Sequence, residues 1–134
     1  MDSSTARFEF QRQQFSQALA ALREALDTDT GDKKSRDSIL LSYVFTFEMA
    51  WKSLRAALVL RGERPADYAA AVLKAAFAAA LITEPDLWMD LREARNEVSH
   101  AYDQEKAIRL AAMVRNRAAA GFDQLLARLQ ASDD

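Results

Sequence analysis

The apolar positions of this chain recur at helical intervals. In the first segment Phe8, Phe15, Leu19, Leu22 and Leu26 alternate steps of four and three, with Arg12 at the one missing step. In the second, Leu40, Val44, Phe47, Trp51, Leu54 and Leu58 keep the same rhythm, and Tyr43 and Ala50 widen the stripe. Residues three and four apart share a helix face, so both segments are predicted as long amphipathic helices over roughly residues 5–27 and 35–61. The polar run 27-DTDTGDKKS-35 joins them, with Gly31 as a stop signal.

Further boundaries follow from turn and cap chemistry. Gly62 is expected to end the second helix and Pro65 to open a third, Ala-rich one at roughly 66–80. In 83-TEPD-86, Thr83 and Asp86 have the spacing of a capping box, and Pro85 suits the first turn of a fourth helix. That helix carries Leu87, Trp88, Leu91, Ala94 and Val98 before reaching His100. Asp103 is the expected cap of a fifth helix with Ile108, Ala111, Val114, Ala118, Phe122, Leu125 and Leu129 as its stripe. Four long helices with short links predict an all-α, up-and-down four-helix bundle with an additional short helix. Residues 1–134 read as one domain, with about four residues at each end, including the tail ASDD, expected to fray.

Composition agrees and narrows the function. Half the residues are apolar, and 3 Gly and 2 Pro leave few turns. A net charge of −2 gives no global attraction to nucleic acid, so any phosphate contact must come from a local basic patch. Zero cysteines exclude disulfides and thiolate metal sites, and suit a cytoplasmic protein. The start MDSSTARFEF lacks the charged-then-apolar plan of a signal peptide. The longest apolar run, 69-AAAVLKAAFAAALI-82, is too short for a bilayer and is broken by Lys74, so no membrane association is expected.

The stretch 92-REARNEVSHAYD-103 is chemically different from the rest. It holds the only histidine, His100, close to Arg95, Asn96, Ser99 and Tyr102. On one helix Arg92, Asn96 and His100 share a face, whereas Arg95 and His100 lie about 140° apart. They converge if the helix ends near Ser99, or if a second copy of the segment lies alongside in a two-fold dimer. These residue types suit metal-free phosphodiester cleavage. Imidazole titrates near neutrality and can remove a ribose 2′-hydroxyl proton, and guanidinium offers a fork for the phosphate. Nothing suggests a cofactor or metal. Set against this, a lone histidine at a helix end is often only a partner for the helix dipole, and R-x4-H is a spacing easily met by accident. Arg95 has no acidic neighbour on its own helix face, so water, another helix or a ligand must answer its charge.

Longer context carries more information. The run 45-FTFEMAWKSLRAAL-58 followed by 88-WMDLREARNEVSHAYD-103 resembles the nucleotidyltransferase substrate-binding family within the HEPN superfamily. The shared features are an aromatic-Glu-hydrophobic-Ala-Trp-Lys segment, then Trp, Arg-Asn, Ser-His and Tyr-Asp, over roughly residues 8–128. The resemblance implies a helical homodimer with its R-x4-6-H motif at the interface, and in many members a metal-independent ribonuclease. In the R-x4-H-x-Y subgroup it implies a toxin neutralised by a cognate nucleotidyltransferase antitoxin of the MNT type, which attaches AMP to the motif tyrosine. The motif maps onto Arg95, Asn96, His100 and Tyr102, with Arg92, Ser99 and Glu48 in supporting positions.

Several alternatives stay open. Glu48 and Lys52 are expected to form a surface i, i+4 pair, although Glu48 could instead hold Arg95. Tyr102 could simply pack at a helix corner. Trp51 and Trp88 are expected in the core, and Arg109, Arg115, Arg117 and Arg128 are expected to solvate the last helix rather than track RNA. Beside the ribonuclease stand a non-catalytic substrate-binding subunit of a two-component nucleotidyltransferase and a plain dimerisation domain.

Overall fold

A computed structural model describes residues 3–131. Helices α1 (Ser3–Asp27), α2 (Lys33–Leu60), α3 (Ala69–Ala78) and α4 (Pro85–Val98) lead into α5 (Gln104–Met113). One π-helical turn, Val114–Ala118, carries α5 into α6 (Ala119–Ala131) with helical backbone at both junctions. No strand occurs among the described residues. The all-α fold and its short extra helix agree with the sequence pattern. Met1, Asp2 and Ser132–Asp134 lie outside the described residues, and with them most of the tail expected to fray.

The direction of each helix follows from its cross-links. Ser53 Oγ donates to Gln11 O at 2.9 Å, and Thr46 Oγ1 lies 3.2 Å from Ala18 O, so α2 rises as α1 falls. Arg115 bonds Leu26 O while Phe122 packs on Phe15, which sets α6 antiparallel to α1. Arg117 reaches Asp90 at 3.0 Å, and Gly121 admits Leu87 so closely that a Cβ there would stand 3.1 Å from its side chain. That sets α4 against α6. Up, down, up, down results. At the centre the Phe122 ring meets Phe15 of α1, Tyr43 of α2 and Trp88 of α4 at 5.9–6.0 Å, one ring from each long helix. Large rings with edge-on contacts fill such a core efficiently. Trp51 and Trp88 are buried, as the stripes predict.

The boundaries differ from the sequence pattern in instructive ways. The second helix starts at Lys33 because Asp32 caps it, accepting from Ser35 N at 2.9 Å. Gly62 does close α2. At φ +88 it forms a Schellman turn, with Glu63 N bonding Leu58 O and Gly62 N bonding Val59 O. Pro65 does not open α3. Its carbonyl accepts from Arg55 at 3.3 Å and Asp67 sits 3.5 Å from the same guanidinium, so the chain bends until Tyr68.

The Thr83–Asp86 capping box does not form either. Trp88 N bonds Glu84 O at 3.2 Å, which makes Glu84 the cap and leaves Thr83 one residue too early, while Pro85 takes the first helical position. Ile108, expected in the last stripe, is 51% exposed, and Ala107 is buried in its place. The last-helix arginines do more than meet water. Arg115 takes the Leu26 carbonyl and Asp29, Arg117 takes Asp90, and Arg128 takes the Ala80 carbonyl. Among the described residues no helix is long and apolar enough to cross a membrane.

Candidate functional site

The 92–103 stretch folds as a helix end and a corner. Hydrogen bonding of α4 continues to Val98, then His100 N bonds Glu97 O and Ala101 N bonds Val98 O, tightening the last turn. Asp103 restarts the chain as α5 by accepting from Glu105 N at 3.0 Å. Lys106 of α5 reaches back to Glu97 of α4 and clamps the corner. The ammonium beside Glu97 holds that carboxyl below its ordinary range, with a smaller contribution from His100. The helix therefore ends where His100 is freed from it, and His100 is exposed.

Between α2 and this corner lies an open groove of about 750 Å³. Leu40, Leu41, Val44, Val98 and Ala101 form its apolar lining, and Arg95, Asn96, Ser99 and Tyr102 its polar part, with Asp37, paired to Lys33, at its edge. Val44, read from its spacing as a core position, is half-buried and faces this groove. Tyr102 is 86% exposed, so it does not pack at a helix corner.

Arg95 is the most constrained member. Its Nη2 donates to Glu48 of α2 and its Nη1 to Asn96 Oδ1 at 3.0 Å, with the guanidinium 5.9 Å from the Phe47 ring centre. The expected surface pair of Glu48 with Lys52 is thus replaced. Helix rotation turns Glu48 toward α4, and Lys52 lies 5.9 Å from the Trp51 ring centre. Two of the five guanidinium N–H groups are used in these two bonds, which leaves three for a ligand. Behind Arg95, the buried Tyr43 hydroxyl donates to Leu91 O at 2.6 Å and fixes α4 one turn below. Burial pushes that phenol far above its ordinary range, so it stays a neutral donor.

The groove thus brings together Arg95, Asn96, Ser99 and Tyr102, with Glu48 holding Arg95. Arg92 and His100 are not part of its wall. Among the described residues no cluster of three or more His, Cys, Asp or Glu could hold a metal ion. The sequence pattern missed the apolar lining and the Tyr43 anchor. The extra apolar residue Leu41, off the α2 stripe, was the available signal.

Such a helical bundle, with an anchored arginine and an exposed tyrosine on one groove, belongs to the class of small α-helical domains that present polar motifs from a helix end. The chain belongs to the family described as nucleotidyltransferase substrate binding protein like, which matches residues 10–131. No curated protein matches it.

Proposed function

We propose that the protein is a HEPN-type toxin, a metal-independent endoribonuclease whose site is completed by two copies of the chain. The observation that carries this reading is the fixed Arg95, held by Glu48 and Asn96, in a groove that also presents Asn96 and Ser99. His100 is exposed at the adjoining turn but outside the groove wall of its own chain, which suits a site built across a two-fold axis. Leu41, 74% exposed beside the groove, supplies apolar surface for a second copy to cover.

In this mechanism one His100 imidazole takes the proton of a ribose 2′-hydroxyl. The freed oxygen attacks the adjacent phosphorus, and the bond to the 5′ oxygen breaks. The second copy's His100, as imidazolium, gives that leaving oxygen a proton, so the products are a 2′,3′-cyclic phosphate and a 5′-hydroxyl. Arg95 stabilises the charge that develops on the phosphoryl oxygens. A cognate nucleotidyltransferase silences the site through Tyr102. The phenol gives up its proton to a base of the nucleotidyltransferase as its oxygen attacks the α-phosphorus of ATP, pyrophosphate leaves, and the attached AMP places a phosphate charge and a bulky base at the groove. The exposure of Tyr102 supports this step.

Incubation of the purified protein with single-stranded RNA in the presence of a chelator tests the enzyme. Wild type should yield cyclic-phosphate ends, and His100→Ala should cleave about 10²–10⁴-fold more slowly. If wild type leaves RNA intact yet raises the activity of a partner nucleotidyltransferase, the protein is a non-catalytic substrate-binding subunit, the role its family description carries.

A further inference from the structure

A second cleft lies further along the groove side of α2. Arg7 and Gln11 of α1 face Lys52 and Arg55 of α2 and Asp67 of the following loop across about 210 Å³. Three cations meet one acid there. Arg55 is held by one bond from Nη2 to the Pro65 carbonyl and by its approach to Asp67, while its Nε is buried without a hydrogen-bond partner. Arg7 and Lys52 are exposed and have no acidic partner among the described residues. Gln11 is fixed through its own carbonyl, which accepts from Ser53, while its side-chain Oε1 is buried without a hydrogen-bond partner.

An unpaired acceptor beside two uncommitted cations matches a ligand that offers negative charge and a hydroxyl together. Ribose-phosphate has that chemistry: phosphate oxygens accept from Arg7 and Lys52, and a ribose hydroxyl donates to Gln11 Oε1 once that side chain turns outward. The position of the cleft selects the source. Val44, Glu48, Lys52 and Ala56 follow one another at one-turn steps along α2, a stripe that turns about 40° at each step and so leads from the groove round to the cleft. Val44 and Arg55 are separated by about 16 Å of helix rise. Glu48, the one acid between them on the stripe, is already paired with Arg95. A free nucleotide would use one of the two places. A strand with repeating phosphates uses both.

We infer that the cleft of Arg7, Gln11 and Lys52 is an accessory ribose-phosphate contact that continues the path of a single RNA strand out of the groove. The inference rests on the ribonuclease reading for the presence of RNA in the groove, and its test is binding rather than cleavage. Labelled RNA octanucleotide and a dinucleotide are titrated by anisotropy over a range of salt concentrations. The protein is His100→Ala, with and without Arg7→Ala and Lys52→Ala together. Removing two phosphate contacts from a single strand should flatten the slope of log K against log salt by about 1.4 for the octanucleotide. The dinucleotide has one phosphate and cannot span both places, so its slope should not change. Lys52→Arg should keep the full slope.

An unchanged octanucleotide slope, or no octanucleotide binding at all, overturns the inference. The two ideas separate in one preparation. RNA cleavage by wild type with an unchanged slope sinks the cleft alone, and a flattened slope without cleavage sinks the ribonuclease alone.

Discussion

Ala80 adopts φ +61, a conformation in which the Cβ of an L-residue crowds the backbone. It does so because it closes α3 in a Schellman turn, with Ala80 N bonding Phe77 O and Leu81 N bonding Ala76 O. Arg128 then takes its carbonyl. Gly62 performs the same task for α2 without that penalty. Ala80→Gly should therefore stabilise the protein by about 1 kcal/mol, less the entropy glycine adds to the unfolded chain. A melt should show a midpoint raised by about 4 °C or less; a lowered midpoint would mean the turn does not hold Ala80 there. Single residues also divide into those legible in the chain and those not. Arg95, Asn96, Ser99 and Tyr102 stand out because polar groups cluster around the only histidine, and these four polar positions of the groove were recognisable on that ground. Glu48 was not. Lys52 and Arg95 are equally plausible partners in sequence, and only the rotation of α2 about its axis, set by what its opposite face buries, decides between them.

At the scale of elements, the corner between α4 and α5 depends on the Glu97–Lys106 clamp. The lowered Glu97 value fixes the sign of its pH dependence. A carboxyl that loses its proton more readily when folded adds stability above its unfolded value, and that addition disappears as the pH falls through the folded one. Melts of wild type and Lys106→Ala from pH 7 downward should show a gap that closes below the ordinary carboxylate range. A gap that persists unchanged at low pH would show that Lys106 acts through packing instead. Helix existence was readable throughout, because α1 and α2 bury their stripes almost residue for residue. The last helix was harder. Its apolar positions Val114, Ala118 and Phe122 are two successive steps of four, where a plain α-helix alternates four and three. The π turn takes an extra residue into one turn, which keeps those steps on one face, and it re-registers the segment before it so that Ala107 rather than Ile108 faces the core.

On the whole molecule, the groove side carries apolar surface left to solvent: Leu41 in its wall is 74% exposed and Phe45, one turn along α2, 53%. Neither residue supports the core, since α2 buries Ile39, Tyr43, Thr46 and Phe47 on its other side. Such residues flanking a groove rimmed by polar groups are the composition of a surface meant to be covered. The proposed ribonuclease needs that cover to be a second copy, because His100 lies outside the groove of its own chain and cleavage asks for an acid and a base. Leu41→Asp separates dimer from fold. It places a charge at the centre of the proposed contact while removing nothing that the single chain packs. Sedimentation should show wild type as a dimer and Leu41→Asp as a monomer, with helical content retained. The wild-type melting midpoint should rise with protein concentration and that of the variant should not. RNA cleavage should fall with the dimer. A wild-type monomer, or a variant that still pairs, would place the second imidazole elsewhere and leave the groove of one chain without the residue its chemistry requires.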